Sequence, residues 1–180
     1  MKSIKTLFAA AIVLIFTMSF TYMADWYVFE AKEFTIEFPE KPTPATEQLE
    51  LEIGNVPMDM LRYKASSDAE EWIEYNLTTI EYPDTIIHSD NMDIREDFFS
   101  STIEGMVEGT AGMLLSEKEI AIDDFPGREI KLSLHDGLFI VRSRIYLVNN
   151  RMYSVQVVAT AGSAANSDVT KFLGSFKLKK

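Results

Sequence analysis

Cysteine is absent from this 180-residue chain. That excludes disulfides, thiolate metal sites, a cysteine nucleophile and a lipid-modified cysteine near the N-terminus. Histidine is scarce: His88 and His135 are the only two, and neither has a second ligand-type partner at metal spacing. His88 has Asp84, Asp90 and Asp93 nearby, a set that suits weak binding of a hard cation but suits a loop entering an N-capped helix better. The D-x-D-x-D-G-x5-E calcium loop is missing. Basic residues are outnumbered 17 to 28, for a formal charge of −11. Nucleic-acid binders need a basic footprint, so no nucleic acid is expected as a partner, and direct adhesion to anionic headgroups is disfavoured. The same acidity keeps an exported protein soluble. Neither G-x-S-x-G nor S-x-x-K occurs, and there is no G-x-G-x-x-G or Walker-type loop. Carboxylate pairs at Glu70-Glu71, Glu117 and Glu119, and Asp123-Asp124 read as solvated faces, because acid–base work needs a cleft and a perturbed pKa. The expectation is a protein that is not an enzyme and carries no cofactor or metal.

A long apolar run occurs once, at the N-terminus. Lys2 and Lys5 precede 19 uncharged residues, Thr6 to Ala24, centred on LFAAAIVLIF. A positive start, an apolar centre and a small residue at the end make a secretory signal, with cleavage expected after Ala24. Tyr22 fits the small-x-small rule poorly, and the run is just long enough to span a bilayer, so an uncleaved anchor is the alternative. The expected organisation is a signal peptide or anchor at 1–24 and one domain at 25–180. The expected location is periplasmic or extracellular, with the membrane involved only if the signal stays.

What is abundant is strand-like alternation. From Asp123 to Thr160 three runs are joined by tight turns at His135-Asp136-Gly137 and Asn149-Asn150, residues that tolerate positive φ. Pro126-Gly127 fits the centre of a type II turn. Arg128, Ile130, Leu132 and Leu134 share one face; Phe139, Val141, Ile145 and Leu147 share another, opposite Arg142, Arg144 and Tyr146; Tyr153, Val155, Val157 and Ala159 line the third run. Period-two alternation over consecutive runs predicts an antiparallel meander. Upstream, strands are expected at Trp26–Glu30, Glu33–Phe38, Ala45–Ile53, Met58–Ala65 and Trp72–Tyr82, with a turn at Gly54-Asn55 and a polar loop at Ser66–Glu70. A helix capped by Asp90 should carry Ile94, Phe98, Ile103, Met106 and Val107 as its stripe and end at Gly109 and Gly112. Met113–Asp123 returns to strand, and a second helix is expected from about Ala164 to Leu173. The N-x-T at Asn76-Leu77-Thr78 falls inside a predicted strand.

Three arginines are the candidate ligand or partner contacts. Arg128 shares the face of Ile130 and Leu132, and Arg142 and Arg144 leave one side of a central strand. Arginine beside apolar strand residues must find carboxylates or carbonyls, and Glu129 or the acidic loops supply them; alternatively these arginines grip an anionic ligand.

Four stretches carry a resemblance. FTIEFPEKP (Phe34–Pro42), FPGREI (Phe125–Ile130), the strand Arg144–Val157 with its YLVNNRMYSVQV, and KFLGSFKL (Lys171–Leu178) resemble exported bacterial proteins of the PsbP-like superfamily. That superfamily includes the extrinsic photosystem II subunit and, distantly, the nuclear Ran nucleotide-release factor; small envelope proteins of the DcrB type are similar in fold. The resemblance runs from about Trp26 to Leu178. It implies an α+β fold, an α/β/α sandwich around an antiparallel sheet of about seven strands with two main helices. It implies action through binding partners, with no catalytic residue to carry over, and fold likeness by itself says little about function.

The functional expectation is an exported, non-catalytic binding or assembly module of the bacterial cell envelope, with an envelope protein as partner. The alternative is a small periplasmic hydrolase or small-molecule-binding protein using a cleft with Arg142, Arg144 and nearby carboxylates. A carrier for an apolar molecule held between sheet and helix is a third reading, suggested by nine methionines and twelve phenylalanines.

Overall fold

A computed structural model describes residues 25–51, 54–65 and 71–179. The signal segment Met1–Ala24, the end of the third expected strand at Ile53, and the loop Ser66–Glu70 lie outside the described residues.

The meander forms as its alternation requires. β6 (Met113–Ile122), β7 (Phe125–Leu134), β8 (Phe139–Val148) and β9 (Arg151–Thr160) pair in sequence, each antiparallel to the next. Asn149 takes φ 53° in the β8–β9 turn, and His135, Asp136 and Gly137 take φ 49°, 55° and 92° in a short 3-10 turn. Two turns fall elsewhere than expected. The β6–β7 turn is Asp123-Asp124, with Asp123 at φ 48°, while Pro126-Gly127 lies inside β7. Gly127 is required there by packing: a Cβ would sit 2.6 Å from both the Ile145 carbonyl oxygen and Tyr146 Cδ1. Likewise Gly54-Asn55 is not a turn but the start of β4 (Gly54–Lys64), paired with Leu51 and Glu50 of β3 (Thr43–Leu51). β3 keeps Pro44 because it is an edge strand, where a missing N–H disrupts nothing.

With β5 (Ile73–Glu81) these strands make one seven-stranded antiparallel sheet in the order β3-β4-β5-β9-β8-β7-β6. A second sheet places β2 (Phe34–Phe38) between β1 (Tyr27–Glu30) and β10 (Lys177–Leu178), an element sequence reasoning did not separate out.

Helix α1 (Met92–Thr110) covers one face of the large sheet. It is capped by Asn91, not Asp90, because the Asn91 side chain accepts the Ile94 N–H at 3.3 Å. It runs through Gly109 and exits with Ala111 in the left-handed region at φ 48°. Helix α2 (Ser167–Ser175) starts later than expected, capped by Asn166, after a turn through Gly162. It joins the small sheet in covering the opposite face. The result is the expected α+β sandwich, with α1, the seven-stranded sheet, and a mixed layer of α2 and the small sheet.

Both faces of the meander are therefore covered. On the α2 side two sets of ring contacts, Phe34 with Tyr153 and Phe176, and Phe38 and Tyr75 with Phe172, lie in one buried cluster, with centroids 5.0 to 5.6 Å apart. Aromatic pairs in such geometry add to the burial each ring already provides. On the α1 side Phe98, Phe99 and Ile103 pack on Ile130, Leu132, Ile145 and Leu147.

Candidate functional site

The α1 face is covered unevenly. α1 lies over β7, and Leu49, Leu51 and Met58 of the β3–β4 hairpin continue the apolar surface beyond it. Their alternation puts them on the α1 side, but the helix does not reach them. Between them runs an open groove of about 1040 Å³, floored by Ile80, Met152 and Tyr82 and closed at one end by Ile86 and Ile87. The helix side of the groove carries Ile94 and Phe98, then Ser101, Thr102 and Gly105. These small residues are why the groove exists. Ser101 and Gly105 are exposed, and a Cβ at Gly105 would meet nothing within 4 Å.

The floor is held firmly. The Tyr82 N–H donates to the Asn150 carbonyl at 2.9 Å, Asn150 Nδ2 donates back to the Tyr82 carbonyl at 2.6 Å, and the Ser89 N–H donates to the Asn149 carbonyl at 2.8 Å. The β8–β9 turn thus fixes the segment that leads into α1. Burial pushes the Tyr82 phenol up to about 12, so it stays neutral. Its ring stands edge-on to Phe98 at 5.7 Å. Among the described residues only Asp97 brings a charge to the lining.

The three arginines singled out in the sequence are not brought together. Arg128 is 7% exposed on the α1 side. Its Nη2 lies 2.5 Å from Glu96 and 3.7 Å from Glu119, its Nε 3.2 Å from Glu117, and its guanidinium carbon 4.8 Å from the Phe99 ring centre. Arg128 thereby clamps α1 to β6, with carboxylates other than the neighbouring Glu129. Arg142 and Arg144 lie on the opposite face, against α2. Arg144 pairs with Glu129 at 2.6 Å and donates to the Leu173 carbonyl at 3.1 Å, satisfying a carbonyl in the last turn of α2. Arg142 reaches Thr170 Oγ1 at 3.4 Å. His88 lies 3.6 Å from Asp84 and 3.7 Å from Asp90 in the loop before α1, and its Nδ1 accepts the Asp90 N–H. Among the described residues no group of three or more His, Asp or Glu is arranged to hold a metal.

Sequence reasoning missed Arg151. It joins Glu81, with which it makes a very short contact, to Glu33 at 3.5 Å, and it separates two shallow clefts of about 440 and 460 Å³ between the large and small sheets. Burial works to lower its pKa, but hydrogen bonds with Glu81 and Tyr153 outweigh that and hold it above the usual arginine value. The groove itself left a faint signal: α1 places Ser, Thr and Gly where an apolar stripe would otherwise widen.

No protein-family model matches the chain, and no curated protein matches it in sequence. Among solved structures, that of cyanobacterial PsbP from a Synechocystis species is similar, with a TM-score of 0.55 and 9% identity, covering 92% of this chain and 99% of that one. A likeness at that identity shows the fold alone: the chain has a PsbP-like fold. Among the described residues no helix is long and apolar enough to cross a membrane.

Proposed function

We propose that this protein is an exported, non-catalytic binding module of the bacterial cell envelope, and that it docks an apolar-faced segment of an envelope protein in the groove between α1 and the β3–β4 hairpin. The groove is the observation that carries this reading. A groove lined by apolar side chains and open to solvent is a surface on which a partner can bury apolar residues of its own. Methionine and aromatic side chains, here Met58, Met106, Met152, Phe98 and Tyr82, suit an adaptable interface core. A small ligand is usually enclosed over most of its surface. This groove stays open along the flank formed by Ser101 and Gly105, which fits a continuous chain better. Export is supported by Lys2, Lys5 and the uncharged run Thr6 to Ala24. The hydrolase alternative has less behind it, because Arg144 directs its donors to Glu129 and the Leu173 carbonyl.

The test is a photo-crosslinking amino acid at Ser101 in the full chain, expressed in its own cells, with and without Gly105→Phe to fill the groove. The expected result is an adduct with an envelope protein that Gly105→Phe removes, on a chain whose N-terminal peptide begins at Asp25. An adduct insensitive to Gly105→Phe, or none, would overturn the docking reading. A chain intact at Met1 would overturn cleavage.

A further inference from the structure

Acidic side chains dominate the rims nearest the groove; the basic Arg62 and Lys64, farther along the same face of β4 as Met58, both pair with Glu74 of β5. Asp93, Asp97, Glu104 and Glu108 are all exposed on α1. Their spacing of four, seven and four residues keeps them within an arc of about 60°, a row about 22 Å long on one edge of the helix. Asp97 lines the groove itself. On the facing wall Glu47 of β3 pairs with Met58 and shares the face of Leu49, so it borders the apolar strip from the other side. Asp84 and Asp90 stand at the end closed by Ile86 and Ile87, both exposed. Among the described residues the lining contains no lysine or arginine. Arg95 of α1 is three-quarters buried beside Glu96 and does not offset the row.

Resting on the docking reading above, we infer that the occupant is an amphipathic helix with a basic polar face, supplied by a partner protein. The apolar floor selects residues at i, i+3, i+4 and i+7, and the acidic rims select lysine or arginine on either side of them. The backbone conformation follows from the floor. It is the face of a sheet whose N–H and C=O groups are already paired, so an extended segment lying on it gains no ladder there, and pairing with the free edge of β3 would place that segment beside the floor rather than on it. A helix bonds its own backbone internally. Ser101 and Gly105 let such a helix approach α1 closely, since packed helices with small contact residues sit at the short end of the ~8–10 Å axial range. Anionic membrane surfaces do not fit, because the rim repels them.

The experiment uses two fluorescent peptides of about 14 residues, long enough for four helical turns. One has a leucine stripe with lysine elsewhere, and the other has the same stripe with glutamate. Both are titrated against the protein purified from its own cells. The Leu/Lys peptide should bind, gain helicity by circular dichroism, and weaken about tenfold or more as salt is raised from ~50 mM to ~300 mM. The Leu/Glu peptide should bind at least about tenfold more weakly. Gly105→Phe should remove Leu/Lys binding, with Ser101→Trp as a second plug should the first not fold. Asp97→Lys combined with Glu104→Lys should weaken Leu/Lys and strengthen Leu/Glu. If both peptides bind equally and both plugs block them, the basic-helix inference fails while groove docking stands. If Leu/Lys binds regardless of the plugs, its attraction is to the acidic surface at large, and both readings fail.

Discussion

The two faces of the large sheet are covered by different amounts of protein. One carries α2 and three strands, which close over Tyr75 and Tyr153 with a set of phenylalanine rings. The other carries a single helix, whose far side presents serine and glycine to the β3–β4 hairpin. The same sheet is therefore a sealed core on one side and a core continuous with a groove on the other. Closing a sheet face takes about as much apolar surface as the sheet displays, and one helix of 19 residues does not supply it for seven strands.

The sharpest way to break this comparison is to remove one ring from each face. Phe172 is fully buried between Phe38 and Tyr75, and Phe172→Ala should cost about 3–5 kcal/mol in urea unfolding. Phe98, on the groove side, opens to solvent when truncated, so Phe98→Ala should cost about 1–3 kcal/mol. Equal losses would mean the groove face is as tightly packed as the other.

Alkaline pH probes both faces together. Burial pushes Tyr75 and Tyr82 up to about 12 each, with Asp168 adding at Tyr75. A phenol whose folded pKa lies above its unfolded value leaves stability intact below about pH 10 and removes it as pH rises from about 10 to 12. Tyr75→Phe and Tyr82→Phe should each recover on the order of 2 kcal/mol of that alkaline loss. A spectroscopic titration showing either phenol ionising near pH 10 in the folded protein would contradict it.

The smallest effect is the most local. Gly105→Ala should stabilise the protein by about 0.5–1 kcal/mol, because alanine favours helix and its Cβ enters open space. A lower Tm would show that the groove is narrower than described.

How much of this was legible in the sequence depended on how far apart the deciding residues were. β8 and β9 could be read from alternation because each face was buried uniformly, and the Asn149 turn followed from residues that tolerate positive φ. The turn at Pro126-Gly127 was misplaced because Gly127 answers to a close carbonyl, and the one at Gly54-Asn55 because Gly54, though its φ of 107° is one glycine favours, already pairs with Leu51. The small sheet was hidden because β1 and β10 have four and two residues and pair only through β2. Arg128 could be recognised as an arginine needing acids. Its principal partner, Glu96, lies 32 positions away on a helix whose rotation no local pattern gives. The groove was least legible of all, since it arises from side chains that α1 does not have.

The small sheet also sets an order on biosynthesis. β2 meets residues made far later: the Glu37 N–H donates to Ser175 Oγ across 138 positions, and Phe34 pairs with Leu178. While the ribosome is still adding residues before Ser167, the aromatic face of Tyr75 and Tyr153 has no lid. The face itself exists only once β9 has been added to β5, so its lid arrives within about the next twenty residues, and the chain cannot seal its core until α2 and β10 are made.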